Sequence, residues 1–270
     1  MEAQTAFWVK GKNEEVRRSE KKRKEAKRSE GKMSKKAVCV CSGGLDSTVA
    51  ATIARREGYE LHLFHASYGQ RAEKREREAV KEIAKVLHAD VKFAEIPFLR
   101  ALGGSALTDT SIEIPAVSEE ALKGKEARET PPTWVPCRNL VILAHACAYA
   151  EVIGAEAIFV GFNAEEAKSY PDNSEDFVHR FNFLLEKAVS SRSIAPKVVA
   201  PLVKMFKPEI VRRGVEVNAP LHLTYSCYLG EEKHCGVCES CMRRKRAFRE
   251  AGVKDPTEYA QAKEKAESEE

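Results

Sequence analysis

Two sets of residues in this 270-residue chain carry chemistry that folding alone does not require. The first is Ser42-Gly43-Gly44-Leu45-Asp46-Ser47, with Thr48 behind it. Two glycines free the backbone to turn tightly and to approach a ligand closely. Where a helix opens at such a turn, its unpaired N–H groups and the positive end of its dipole receive an anion. The hydroxyls of Ser42, Ser47 and Thr48 add donors. Asp46 is unexpected in an anion cradle, and makes sense if it orients the turn or helps hold Mg²⁺. The order of residues is not that of a Gly-Lys-Ser/Thr phosphate loop. The plainer alternative is a capped strand-to-helix turn.

The second set is Cys227, Cys235, Cys238 and Cys241, four thiols within 15 residues. Their spacing lets successive sulfurs point inward around one ion, with Gly236 relaxing the turn. Four thiolates suit tetrahedral Zn²⁺ in a closed structural site, one ion per subunit. An iron–sulfur cluster is the alternative, because C-x2-C-x2-C also occurs in cluster proteins. No coordination position stays open, so the metal serves structure and not catalysis. His234 is a reserve ligand. Cys39, Cys41 and Cys147 fall in apolar segments and read as core thiols. Cys41 also leads into the first loop and is counted with its nucleotide-binding residues. Cys137 precedes Arg138 in an expected active-site loop.

The elements that position these residues follow from periodicity. Residues 36–41 read as a short buried strand and 47–57 as a helix, with the Gly-Gly turn between them. Further strands are expected at 60–65, 90–96, 157–160 and 198–202. A helix at 73–87 places Val80, Ile83, Ala84 and Leu87 on one face. Others are expected at 139–153, at 177–189 with Phe177, Phe181, Leu184, Leu185 and Ala188 as its apolar stripe, and from about Pro208. Strands alternating with helices imply a doubly wound α/β fold, with a mainly parallel sheet and helices on both faces. Ligands of such sheets bind at the carboxyl ends of the strands. His65 and Tyr68 end the second strand, where a nucleoside would lie, or are ordinary strand-end residues. Residues 97–136 exceed a normal connection and read as a lid or an unstructured loop.

Composition sets outer bounds. Hydrophobic residues make up 43% and charged residues 32%, as in soluble globular proteins. The apolar run 140–150 is broken by His145 and is too short to span a bilayer. Residues 1–32 contain no apolar segment of the kind a signal peptide needs. Eight cysteines without an export signal point to metal or thiol chemistry in the cytoplasm. The net charge of +4 is concentrated in residues 1–32, where 11 Lys/Arg face 6 Glu. The rest is near neutral and offers no overall basic field to a nucleic acid. The expected organisation is an extension over 1–32 that is disordered or a frayed helix, an α/β domain over 33–220, a metal-binding lobe over 221–259 and a polar tail over 260–270. Met33 is a second possible start.

The loop in its strand-to-helix context resembles the Ser-Gly-Gly-x-Asp-Ser pyrophosphate loop of the N-type ATP pyrophosphatases, which adenylate a carboxylate or carbonyl oxygen. Within that superfamily, the chain from about Ala37 to Tyr259 resembles the 7-cyano-7-deazaguanine synthase family. Besides residues 42–47, the matching pieces are Tyr68-Gly69-Gln70-Arg71, Val135-Pro136-Cys137-Arg138-Asn139, Ser169-Tyr170-Pro171-Asp172, Ser226-Cys227-Tyr228, the cysteine run from Cys235 to Cys241, and Asp255-Pro256-Thr257-x-Tyr259. Ser67 and Ala72 stand where the family usually has Asp and His, and Cys137 where bacterial members have Gly. The segment 173–177 also departs from the family's usual continuation.

The resemblance implies an ATP-dependent C–N ligase acting on 7-carboxy-7-deazaguanine and ammonia. The carboxylate attacks the α-phosphorus, ammonia displaces AMP, and a second activation dehydrates the amide to a nitrile that feeds archaeosine or queuosine. It further implies Mg²⁺ as the companion of ATP, a homodimer, and neither a membrane nor a direct nucleic-acid partner. Asp46, Ser47, Arg138 and Lys207 are the expected catalytic residues. Residues 41–48, His65, Tyr68 and Arg71 would bind ATP, and Arg138, Tyr170 and Asp172 the deazaguanine. Arg138 precedes an expected helix start, where a carboxylate or phosphate sits well. Asp172 could read the amidine edge, or belong to a Pro-Asp-Asn turn. Lys207 could equally be a surface lysine. Two other readings remain open. One is a tRNA-modifying, thiolating enzyme of the same superfamily. The other is a non-catalytic zinc-ribbon protein that contacts nucleic acid through Arg243-Arg244-Lys245-Arg246 and its basic arm.

Overall fold

Strands β1 (Lys36–Val40) and β2 (Glu60–Ser67) are buried along almost their whole length. The central strands of a parallel sheet are covered on both faces, and the polar His62, His65 and Ser67 of β2 are buried with its apolar residues. Strands β3 (Asp90–Glu95), β4 (Ala157–Phe159) and β5 (Lys197–Val199) complete the sheet. All neighbours pair in parallel, in the order β3-β2-β1-β4-β5. The computed structural model describes residues 35–124, 131–190 and 195–260. The expectations for residues 1–32, and for the tail beyond Ala260, lie outside the described residues.

Eight α-helices surround this sheet among the described residues: α1 (Leu45–Arg56), α2 (Glu73–Leu87), α3 (Pro97–Ala101), α4 (Glu119–Gly124), α5 (Arg138–Ile153), α6 (Glu175–Ala188), α7 (Lys207–Glu216) and α8 (Glu239–Ala251). Side chains alternate across β1. Ala37 and Cys39 join α1 and α2 in one core, whereas Val38 joins α5 and α6 in another. A third core sets Val49 and Ile53 of α1 against Ile210 and Val211 of α7 and Phe248 of α8. The doubly wound architecture is the one the strand–helix alternation implies.

Two details differ from expectation. On α6 the buried residues are Val178, Phe181 and Leu185, while Leu184 is 55% exposed and Ala188 faces solvent. Phe183 and Leu184 are apolar residues on the outer face, and their presence shifted the apparent stripe by about one position. Residues 97–136 are not wholly peripheral. Ser105, Ala106, Leu107 and Thr108 are buried, and Ala106 N donates to Pro132 O. Residues 125–130 of that segment lie outside the described residues.

Candidate active site

The strand order reverses between β1 and β4, so the loops leaving their carboxyl ends diverge and open a cleft. The cleft is lined by residues from the carboxyl ends of β1, β2 and β4 and from the helix starts that follow. Gly44 is the N-cap of α1, so Leu45, Asp46 and Ser47 form the first helical turn. Gly43 has φ +83°, and a Cβ there would lie 2.9 Å from Glu76 O. Both facts require glycine. The hydroxyls of Ser42 and Ser47 face each other at 3.2 Å, and Gly44 N donates to Ser42 Oγ. Thr48 is fully buried and donates to Gly44 O at 2.7 Å, so it shapes the turn from behind. Gly43 and Thr48 do not line the cleft; Cys41, Ser42, Gly44, Leu45, Asp46 and Ser47 do.

Lys207, the first residue of α7, is a cleft residue and not a surface lysine. Its Nζ donates to Asp46 Oδ2 and Glu166 Oε1, each at 2.5 Å. Burial pushes the Asp46 carboxyl up to about 6, against the pull of Lys207. Burial acts on Glu166 in the same direction, but the Lys207 ammonium overrides it and holds that carboxyl near 2. Asn163 Nδ2 donates to Asp46 Oδ2 at 3.2 Å, leaving Asp46 Oδ1 buried without a partner among the described residues. An orphaned carboxylate oxygen beside the glycine turn and helix start is a donor of the kind that could hold Mg²⁺. Gly161, just past β4, lets the loops meet: a Cβ there would lie 2.6 Å from Ser47 N.

Across the cleft, Arg138 opens α5 and donates to Tyr68 OH at 3.3 Å. His65 is buried, with Nδ1 facing Cys41 O at 3.0 Å, and burial lowers its pKa to about 4. The ring is therefore neutral, and its Nε2 has no partner among the described residues. Tyr170 stacks on Trp134 and hydrogen-bonds Thr133. Two expected ligand contacts are already engaged elsewhere. The Asp172 carboxylate accepts from Asn139 N and Nδ2, which ties down the start of α5, and it does not line the cleft. Arg71 touches the cleft, but its guanidinium donates to the carbonyls of Asp109 and Ile112 and anchors the segment after α3.

Several cleft residues escaped the sequence reading. Glu166 follows β4 and lines the cleft, with Asn163 buried behind it; the rule that ligands gather at strand carboxyl ends was the one signal for them. Gln70 and Glu76 are linked at 2.7 Å, and burial pushes the Glu76 carboxyl up to about 7. Arg243 and Arg244 also reach the cleft. Arg243 pairs with Glu165 and Glu239, Arg246 with Glu165, Arg244 with Asp255, and Lys245 donates to Gly236 O. The basic run is thus engaged within the protein.

The sulfurs of Cys227, Cys235, Cys238 and Cys241 lie within 4.8 Å of one another. Backbone N–H groups of Leu229 and Cys235 point at Cys227 Sγ, and Cys238 N points at Cys235 Sγ, as thiolate ligands require. This donor set fits a metal ion. His234 does not belong to it, because its Nε2 accepts from Ser226 N at 2.9 Å and its ring lies between Tyr225 and Tyr259. Among the described residues no helix is long and apolar enough to cross a membrane.

Comparison with known proteins places the chain. The family model described as "Queuosine biosynthesis protein QueC" matches residues 36–252. The 7-cyano-7-deazaguanine synthase of Methanothrix thermoacetophila is 59% identical over 225 residues, covering 83% of this chain and 98% of the relative. That of Methanobrevibacter smithii is 47% identical over 229 residues, covering 84% and 99%. Among solved structures, the U34-tRNA thiolase NcsA from Methanococcus maripaludis aligns with a TM-score of 0.45 and 15% identity, over 81% of this chain and 66% of that one.

Proposed function

The chain belongs to the QueC family of queuosine biosynthesis proteins, and we propose that it converts 7-carboxy-7-deazaguanine and ammonia to 7-cyano-7-deazaguanine at the expense of ATP. One observation carries this reading. The phosphate loop and Arg138 face a single cleft at the β1/β4 switch point, giving it one end for pyrophosphate and another for a carboxylate. Ser42, Ser47 and the free N–H groups of α1 hold the β- and γ-phosphates. Asp46 Oδ1 is the oxygen open to the Mg²⁺ that accompanies ATP. Lys207 offsets one of the two negative charges of Asp46 and Glu166 and fixes both carboxylates beside the loop that holds the phosphates. Arg138 orients the substrate carboxylate toward the α-phosphorus, and Tyr170 lies beside the heterocycle. His65 and Tyr68 border the adenosine, His65 offering Nε2 as an acceptor. Ammonia displaces AMP to give the amide, and activation of the amide oxygen followed by loss of AMP gives the nitrile.

Zn²⁺ bound by the four thiolates supplies structure by joining the segment before α8 to α8 itself. The closeness of the sulfurs supports one ion, since an iron–sulfur cube would hold its ligands farther apart. Within residues 221–259, the segment that carries the four thiols packs on the α/β core through Phe248. Eight free cysteines, none in a disulfide, fit a cytoplasmic location. A homodimer with small-molecule substrates and no nucleic-acid partner completes the reading.

The test is mass spectrometry after incubation with 7-carboxy-7-deazaguanine, ammonium and Mg-ATP. The nitrile should appear with one AMP for each activation. Asp46→Ala or Ser47→Ala should slow turnover by roughly 10²–10⁴-fold, as loss of one preorganised electrostatic contact or more does, with metal content unchanged. Release of ADP and phosphate alone would overturn the reading.

A further inference from the structure

Four carboxyl groups line the cleft, and three of them already have a cation. Asp46 and Glu166 share Lys207, and Glu239 is paired with Arg243. Glu76, in the first turn of α2, forms no ion pair with any described residue. The titratable and charged groups around it are Cys41 at the end of β1, Tyr68 after β2, Arg138 from α5 and Glu73 on its own helix.

Gln70 sets the direction in which Glu76 can act. Its Oε1 accepts from Tyr68 N at 2.8 Å, so its amide nitrogen must point the other way. That nitrogen donates to Ala66 O at 3.2 Å and to Glu76 Oε2 at 2.7 Å. Oε2 is held as an acceptor, and Oε1 is left to receive a proton. Position matters as much. A Cβ on Gly43 would lie 2.9 Å from Glu76 O, so α2 passes directly behind the phosphate loop. Arg138 acts on Glu76 from the far side of the cleft. Glu76 thus lines the same cleft as the Ser42–Ser47 turn and Arg138, in electrostatic reach of Cys41 on one side and Arg138 on the other, where a nucleophile for an acyl phosphate could enter.

We propose that Glu76 is the catalytic residue that binds ammonium in the cleft and removes its proton, with Gln70 as its positioning residue; this rests on the ligase reading above. Ammonium transfers a proton to Glu76 Oε1 and becomes ammonia. The nitrogen lone pair forms the C–N bond to the acyl carbon while the C–O bond to AMP breaks, AMP leaving with the electron pair. The proton shed by the attacking nitrogen goes to the departing phosphate oxygen. Glu76 then returns its own proton to water. A carboxyl raised by burial is suited to this cycle, because it both accepts and releases a proton near neutral pH.

Hydroxylamine separates this role from a structural one. It is uncharged near neutral pH, attacks acyl phosphates to give a hydroxamate, and needs no prior proton removal. Glu76→Gln should lose roughly 10²–10⁴-fold in amide and nitrile formation with ammonium. Hydroxamate formation should fall less than about tenfold, and pyrophosphate exchange into ATP should persist. Glu76→Asp, which keeps the carboxylate but shortens its reach, should show a smaller loss of the same selectivity, and it carries the test if the Gln variant fails to fold. Equal losses with both nucleophiles, or undiminished turnover with ammonium, would overturn the assignment. Wild-type protein that forms no AMP from 7-carboxy-7-deazaguanine would instead overturn the ligase reading and this inference with it.

Discussion

Glu76 illustrates how one side chain can be tuned for a reaction at the expense of stability. Its carboxyl lies near 7 in the folded protein, against about 4.5 when unperturbed, chiefly because burial disfavours its charged form. Between those values the folded protein retains a proton that the unfolded chain has released. Wild-type stability therefore falls as pH rises through that window. Gln cannot titrate and keeps an oxygen for Gln70 to donate to. Glu76→Gln should be more stable than wild type by roughly 1–3 kcal/mol at pH 8, with the gain gone at about pH 4. Denaturant midpoints at both pH values check this, and a variant less stable than wild type at pH 8 would refute it. Gains in stability from removing a strained functional group are common. His65 has the opposite sense. Its depressed pKa contributes stability that is lost as pH falls from about 6.5 toward 4.

At the scale of elements, the site depends on how closely β4 and α1 approach. The segment leaving β4 crosses the first turn of α1 at Gly161, and no side chain fits between them. Ala at this position would bring its Cβ to 2.6 Å from Ser47 N and 2.7 Å from Asp46 C, both backbone atoms that cannot rotate away. Either α1 or the β4 loop must move. The expected cost is about 1–3 kcal/mol of stability, typical of overpacking, together with a fall in AMP release larger than that of a conservative core substitution. Unchanged thermal unfolding and unchanged turnover in Gly161→Ala would show that the approach is looser than described. The same packing logic explains α7, whose Ile210 and Val211 pack on α1 while Lys207 at its start reaches Asp46.

For the whole molecule, the cysteine cluster is joined to the cleft through α8. That helix begins at Glu239, contains the ligand residue Cys241, and presents Arg243 and Arg244 to the cleft wall. Arg244 is nearly fully buried and reaches Thr224, Ser226 and Asp255. The segment after α3 adds to this, since Val117 N donates to Val237 O. Metal analysis should find about one zinc per chain in a colourless protein. Because metal binding and folding are coupled, Cys238→Ser or chelation should lower the thermal midpoint by more than about 5 °C, at ~2–4 °C per kcal/mol for a domain of this size. Activity should fall with it, as the Arg243 wall loosens. Stoichiometric iron with visible absorbance would exclude the zinc assignment.

Much of this protein is determined locally, and that part is legible in the sequence. The parallel α/β sheet follows from strand and helix periods. The phosphate loop needs only six consecutive residues and the turn they encode. The four cysteines that could hold a metal are close in sequence because a knuckle of backbone brings them together, so spacing alone points to the cluster. The motif Val135–Asn139 also pointed to Arg138, and the expected chemistry to Lys207, though neither pointed to their partners. What only the tertiary structure decided is which polar groups meet across long sequence separations. Asp46, Asn163, Glu166 and Lys207 come from three separate segments, two of them helix starts, and no local pattern encodes their encounter. Asp172 and Arg71 read as ligand contacts until Asn139 and the carbonyls of Asp109 and Ile112 were seen to engage them. Glu76 looked like one acid among many on a charged helix. Burial against Gln70, and the absence of an ion pair among the described residues, distinguish it, and both depend on the packed molecule.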